Sequence, residues 1–142
     1  MSAECLFCQI AGRIRAANIV MEDDLTLAFL DHRPLFPGHC LLIPKAHVGT
    51  LSDLPPGALG PFFAAAQLLA KAVEVGLSAD GTFVAINNRV SQSVPHLHVH
   101  VVPRRHKDGL RGFFWPRGKY AGQAEMEAVR SILEQTVRRL KV

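Results

Sequence analysis

Polar and apolar residues alternate strictly from His96 to Val101, with His96, His98 and His100 on one parity and Leu97, Val99 and Val101 on the other. A period of two marks a strand, whose successive side chains point to opposite faces. At a rise of about 3.3 Å per residue, the three imidazoles would share a face at about 6 to 7 Å per step, the aliphatic set turned to the core. From Ile19 to Leu30 the pattern predicts two strands, VMEDD turning into TLAFLD, with Glu22, Asp23 and Asp24 in a solvated turn. Cys40 to Ile43 reads as a buried strand ended by Pro44 and Lys45, and Thr82 to Ile86 as another. Asp53-Leu54-Pro55-Pro56 is a helix-start signal, because proline suits the first turn. Leu59, Phe62, Phe63, Ala66, Leu69, Ala70 and Val73 then fall on one helical stripe, which predicts a core helix from about Gly57 to Gly76. Met126, Val129, Leu133, Val137 and Leu140 give a second amphipathic helix within 121–141.

The predicted fold class is therefore α+β: an antiparallel sheet of about five strands with two main helices in one domain spanning 1–142. Composition agrees, since 142 residues with 49% hydrophobic and 20% charged can bury an ordinary single-domain core. No apolar run approaches the roughly 18 residues of a membrane span, and the N-terminus lacks the cationic start of a secretory signal, so a cytoplasmic protein off the membrane is expected. A net charge of +4 suits anionic ligands without distinguishing nucleotides, nucleic acid or a membrane surface.

Three histidines in alternation leave two chemical readings open: a nucleophile flanked by phosphate-binding imidazoles, or a metal site. Cys5 and Cys8 form C-x-x-C, a pattern split between zinc, redox chemistry and coincidence, and Cys40 lies alone in an apolar run. Beyond Pro103 the segment 104–120 is basic and aromatic. Arg104, Arg105, Lys107, Arg111, Arg117 and Lys119 are interleaved with Phe113, Phe114, Trp115 and Tyr120. Such a segment suits a single-strand nucleic-acid surface, a polyphosphate lip or a packed tail.

Four stretches in order, CLFCQIAGRI, EDDLTLAFLD, PGHCLLIPKAH and QSVPHLHVHVVPR, carry a resemblance to the histidine triad (HIT) family of nucleotide hydrolases and transferases. The resemblance covers roughly the first three quarters of the chain. It implies a homodimer with the sheet continued across the interface and a purine nucleoside phosphate as substrate. It makes His98 the nucleophile at the α-phosphate, with His100, Asn87 and Ser93 around the phosphoryl oxygens and His39 in support. Phe7, Ile10 and Phe29 match the base slot and Asp31 the acceptor for the ribose hydroxyls. His32 stands where relatives commonly carry an apolar residue. Gln92 belongs to the motif before the triad, and Arg89 adds a cation in a loop that lacks the family's glycines. The same resemblance implies a structural zinc on Cys5, Cys8, His47 and His96, and no catalytic metal. The alternatives are a nucleotide- or nucleic-acid-binding protein with little turnover, and a metallohydrolase using all three triad histidines.

Overall fold

The computed structural model describes residues 4–111 and 116–141; Phe113, Phe114 and Trp115 lie outside them. The chain divides into two compact units, one ending at Asp108 and the other starting at Gly109. In the first, a short helix α1 (Leu6–Ala11) precedes strands β1 (Ile19–Glu22), β2 (Thr26–Leu30) and β3 (Cys40–Pro44). Helix α2 (Pro56–Gly76) follows, then β4 (Gly81–Ile86) and β5 (Val99–Arg104). The five strands form one antiparallel sheet in the order β1-β2-β3-β5-β4. This is the expected α+β architecture.

Strand parity divides the core. Ala28, Leu42, Val99 and Val101 pack with Phe62, Ala66, Leu69 and Val73 of α2. On the opposite face Leu27, Phe29, Leu41 and Ile43 pack with Phe7, Cys8 and Ile10 of α1. Because Leu41 pairs with His100, the triad parity lies on the α1 face, beside Phe29 and Leu41.

The alternation of the triad is not one continuous strand, however. The β5 ladder begins at Val99, and His96 through Val99 are all buried. His96 N–H bonds back to Val94 O at 2.8 Å and Leu97 N–H goes to Val48 O at 2.7 Å, so this stretch is a bend after Pro95. The expectation of a common face therefore holds for His98 and His100, while His96 turns to a separate cluster.

Helix α2 corrects the expectation about membrane-length segments. Its 21 residues have a window of mean hydropathy 1.3, long and apolar enough by length and composition to span a bilayer. Its buried stripe of Phe62, Ala65, Ala66, Leu69 and Val73 makes it the core helix of the sheet. Its C-terminal end is held by Arg105, which donates to Leu77 O at 2.8 Å and Ser78 O at 2.7 Å. Arg104 makes a two-pronged pair with Asp108 at 2.5 and 2.9 Å. Two cations of the basic segment thus brace the fold.

In the second unit, helix α3 (Gln123–Leu140) has no buried residue. Along its surface Arg130 pairs with Glu127 and Glu134, and Arg138 with Glu134. Exposed i,i+3 and i,i+4 pairs of this kind support a helix by only a few tenths of a kcal/mol each.

Candidate functional site: a cleft beside three convergent histidines

A cleft of about 280 Å³ opens on the α1 face. Phe7, Ile10, Phe29 and Leu41 supply apolar wall, and Asp31, His32, Ser93, His98 and His100 join them. Phe7 is central to it. Its ring meets Phe29 at 5.5 Å and His98 at 5.1 Å between centroids, both edge to face. His98 is buried, and its centroid lies 5.0 Å from that of His100.

Backbone groups settle where each imidazole carries its proton. A carbonyl oxygen can only accept, so His98 Nδ1, 2.8 Å from His96 O, is the protonated nitrogen, and Nε2 keeps its lone pair. At His39 the logic inverts. Leu35 N–H donates to Nδ1 at 3.0 Å, which puts the proton on Nε2. That Nε2–H lies 3.0 Å from His100 Nδ1, so His100 carries its own proton on Nε2. Burial, reinforced by the neighbouring His98 and His39, pushes the His100 pKa down to about 4. Burial likewise lowers that of His39, against the Asp31 carboxylate, which raises it. Both rings are neutral at pH 7, and the chain Leu35–His39–His100 presents an N–H donor beside an imidazole whose Nε2 is free.

Asp31, His39 and His100 also bring three potential ligand atoms within 4.8 Å of one another. The Leu35 donation leaves His39 no lone pair on Nε2, however, so the cluster is a hydrogen-bonded chain. Asp31 sits in its turn through backbone bonds, donating its N–H to His39 O at 2.9 Å and accepting from Arg33 N–H at 2.9 Å. His32 is exposed, 4.0 Å from the Asp31 carboxylate.

A second cluster lies beneath Phe7. Cys5 caps α1, and Cys8, His47 and His96 converge on it. Sulfur-to-nitrogen separations are 3.4 Å (Cys5–His96), 3.3 Å (Cys8–His47) and 3.5 Å (Cys8–His96), and the two Nδ1 atoms are 3.2 Å apart. A tetrahedron with Zn–S of about 2.3 Å and Zn–N of about 2.05 Å has S–N edges of about 3.5 Å and an N–N edge of about 3.3 Å. His96 donates Nε2–H to Pro44 O at 2.8 Å, which frees Nδ1 as a ligand and supplies the outer hydrogen bond such ligands use. The donor set fits zinc with no open position. Among the described residues His98 belongs to neither cluster, which removes the geometry a three-histidine metal centre needs.

Four of the expected residues lie outside the cleft lining: His39, which stands behind His100, and Asn87, Arg89 and Gln92. Gln92 spends its amide on the loop, donating to Gly49 O at 2.7 Å and accepting from Arg89 N–H at 2.8 Å. Asn87 is exposed, while the adjacent Asn88 accepts from Leu51 N–H at 2.9 Å. Arg89 and Ser91 adopt φ of 68° and 59°, the left-handed backbone that glycine takes without strain. Sequence reasoning in turn missed Arg15, Asn18 and Leu41, which line the cleft. Leu41 was accessible through its parity; the other two sit in a loop with no pattern.

The HIT domain model matches residues 14–107. The chain belongs to the HIT family. An uncharacterized HIT-like protein of Mycobacterium tuberculosis is 42% identical over 108 residues, 75% of each chain. The adenosine 5'-monophosphoramidase HNT1 of Saccharomyces cerevisiae is 34% identical over 114 residues, 78% of this chain and 69% of its own. Among solved structures, a zinc-bound histidine triad family protein of Mycobacterium smegmatis superposes with a TM-score of 0.72 at 38% identity, covering 94% of this chain and 97% of that one. HIT members thus include nucleotide hydrolases, and the matched region holds the cleft residues from Arg15 to His100, while Phe7 and Ile10 of α1 precede it.

Proposed function

We propose that the protein is a nucleotide hydrolase or transferase that cleaves at the α-phosphate of nucleoside phosphoramidates or dinucleoside polyphosphates through a covalent nucleotidyl-histidine. The observation that carries this is the proton placement: His98 has its proton tied to a carbonyl and its Nε2 free, next to an N–H donor on His100. His98 Nε2 attacks the α-phosphorus, the P–N bond forming as the bond to the leaving group breaks. The positive charge that develops on the ring is shared with His96 O through Nδ1–H. His100 Nε2–H donates to the phosphoryl oxygens, where a fixed donor acts on charge as it develops. Water then breaks the P–N bond and releases the nucleoside monophosphate. Ser93 at the cleft supplies a hydroxyl near the leaving group, and Asn87, Arg89 and Gln92 shape the loop that carries it.

The base occupies the slot of Phe7, Ile10 and Phe29, with Asp31 accepting from the ribose diol. The cleft volume sits at the lower end of the roughly 300–1,000 Å³ typical of small-molecule sites, which favours one purine nucleotide inside and the leaving group outside. A structural zinc on Cys5, Cys8, His47 and His96 would pin α1, and with it Phe7, to the sheet. No catalytic metal takes part. In the cytoplasm these thiols stay reduced for such a site. A homodimer is supported by β4, an edge strand, and by the exposed apolar Phe63, Leu68 and Val84. Nucleic acid is the weaker ligand, because Arg104 and Arg105 are committed to bracing contacts. Adenosine and guanosine phosphoramidates and dinucleoside polyphosphates, tested as a panel with product identification, decide the reading. Release of nucleoside monophosphate is expected, and no turnover of any member contradicts it.

A further inference from the structure

Two arginines follow α1, and they differ in employment. Arg13 is paired with Glu22, which also accepts from Lys45 at 3.0 Å. Arg15 is exposed, lines the cleft, and has no hydrogen bond or ion pair on its guanidinium among the described residues. Its backbone is fixed by an N–H bond to Gln9 O at 3.2 Å, so the side chain has a defined anchor. Sheet order places this anchor. The loop leads through Asn18, whose carbonyl accepts from Leu30 N–H at 3.0 Å, into β1. Strand β1 lies three strand spacings from β5, about 14 Å from the His98–His100 end, with Asp31 after β2 between them. Arg15 shares the cleft with His98, Asp31 and the slot of Phe7, Ile10 and Phe29, so a nucleotide with phosphorus at His98 and ribose at Asp31 would hold its base within the same walls as Arg15.

Resting on the nucleotide reading above, we infer that Arg15 reads the base edge and makes the site prefer 6-oxopurines, guanine or hypoxanthine, over adenine. A guanidinium has only donors. The 6-oxopurine edge offers O6 and N7, both acceptors that a guanidinium grips with two prongs, whereas adenine sets an amino donor beside N7. Asn18 does not discriminate, because its amide can turn either a carbonyl or an amino group to the base. Arg15 at the rim is solvated, so its effect falls at the lower end of a two-pronged contact, about fivefold to tenfold against adenine.

Calorimetric binding of GMP, IMP and AMP reads this preference without turnover. GMP and IMP should bind at least about fivefold tighter than AMP. Arg15→Ala should bring all three within about twofold, and Arg15→Lys should recover only part of the preference, since an ammonium cannot form the fork. Equal affinities in the parent, or a preference that survives Arg15→Ala, overturn the inference alone. An equal loss for all three on Arg15→Ala also overturns it, showing a phosphate contact in its place. If none of the three binds, the nucleotide reading fails along with it.

Discussion

Replacing His39 tests whether its role is to hold the proton of His100. His39 is 3% exposed and touches His100 through a single Nε2–H to Nδ1 bond of 3.0 Å. His39→Ala removes that donor and leaves a partly buried acceptor without its partner. A typical hydrogen bond contributes about 0.5–1.5 kcal/mol net, and an orphaned buried acceptor costs about 1–3 kcal/mol. His100 lines an open cleft where water can replace some of this, so about 1.4–2.3 kcal/mol is expected. If the loss falls on the transition state, the rate drops about 10- to 50-fold with little change in KM. His39→Gln carries an amide N–H at nearly the reach of Nε2 and should stay within about fivefold of the parent. Single-turnover kinetics on a nucleoside phosphoramidate measures both variants. A Gln variant no better than Ala, with both folded, would refute a proton-holding role, as would an Ala variant that turns over like the parent.

Three further outcomes are expected. Protein purified without added metal should hold about one zinc per chain, and Cys8→Ala should lose the metal and thermal stability while keeping residual turnover; free thiols at Cys5 and Cys8 without zinc would contradict this. Because burial lowers the pKa of His100 to about 4 and also lowers that of His39, the unfolded chain binds protons first as pH falls. Their contribution to stability is therefore full above about pH 6.5 and lost toward pH 4, by at most about 3 kcal/mol for His100. Urea titrations should show this slope, reduced in His100→Phe, and an equal slope in both proteins would count against it. Gly38 has φ +100°, and a Cβ there would run into Leu77 Cδ1. Leu77 can yield, so Gly38→Ala should cost chiefly the left-handed strain of about 1–2 kcal/mol, or about 4–8 °C in Tm, and an unchanged Tm would be inconsistent with this turn.

The strands and α2 were legible because their patterns report burial directly: Leu27 and Phe29 face one side, Ala28 the other, and pairing with β3 preserves that parity. The same logic put His98 and His100 on one face, which strand pairing then sets beside Leu41. It failed for His96, where Pro95 and the backbone bonds to Val94 and Val48 turn the chain before the ladder begins. Helix α1 escaped pattern reading because six residues are too few to show a period. The cysteine and histidine cluster was approached through resemblance, since 91 residues separate Cys5 from the His96 nitrogen it meets. Least legible were the protons. They are set by Pro44 O, His96 O and Leu35 N–H, backbone groups whose positions depend on loop geometry that residue identity does not reveal. The loop at 87–92 shows the converse. Without glycine, Arg89 and Ser91 still take the left-handed turn, held by the two bonds of Gln92.

The central claim is that His98 Nε2 attacks phosphorus, and trapping the intermediate tests it most directly. Rapid acid quench with a nucleoside phosphoramidate labelled in the nucleoside, followed by peptide mapping, locates the adduct. The label should sit on His98, and His98→Ala should abolish it and cut turnover by several orders of magnitude. Label on another residue, or a His98→Ala variant with parental turnover, would contradict nucleophilic catalysis by the central histidine.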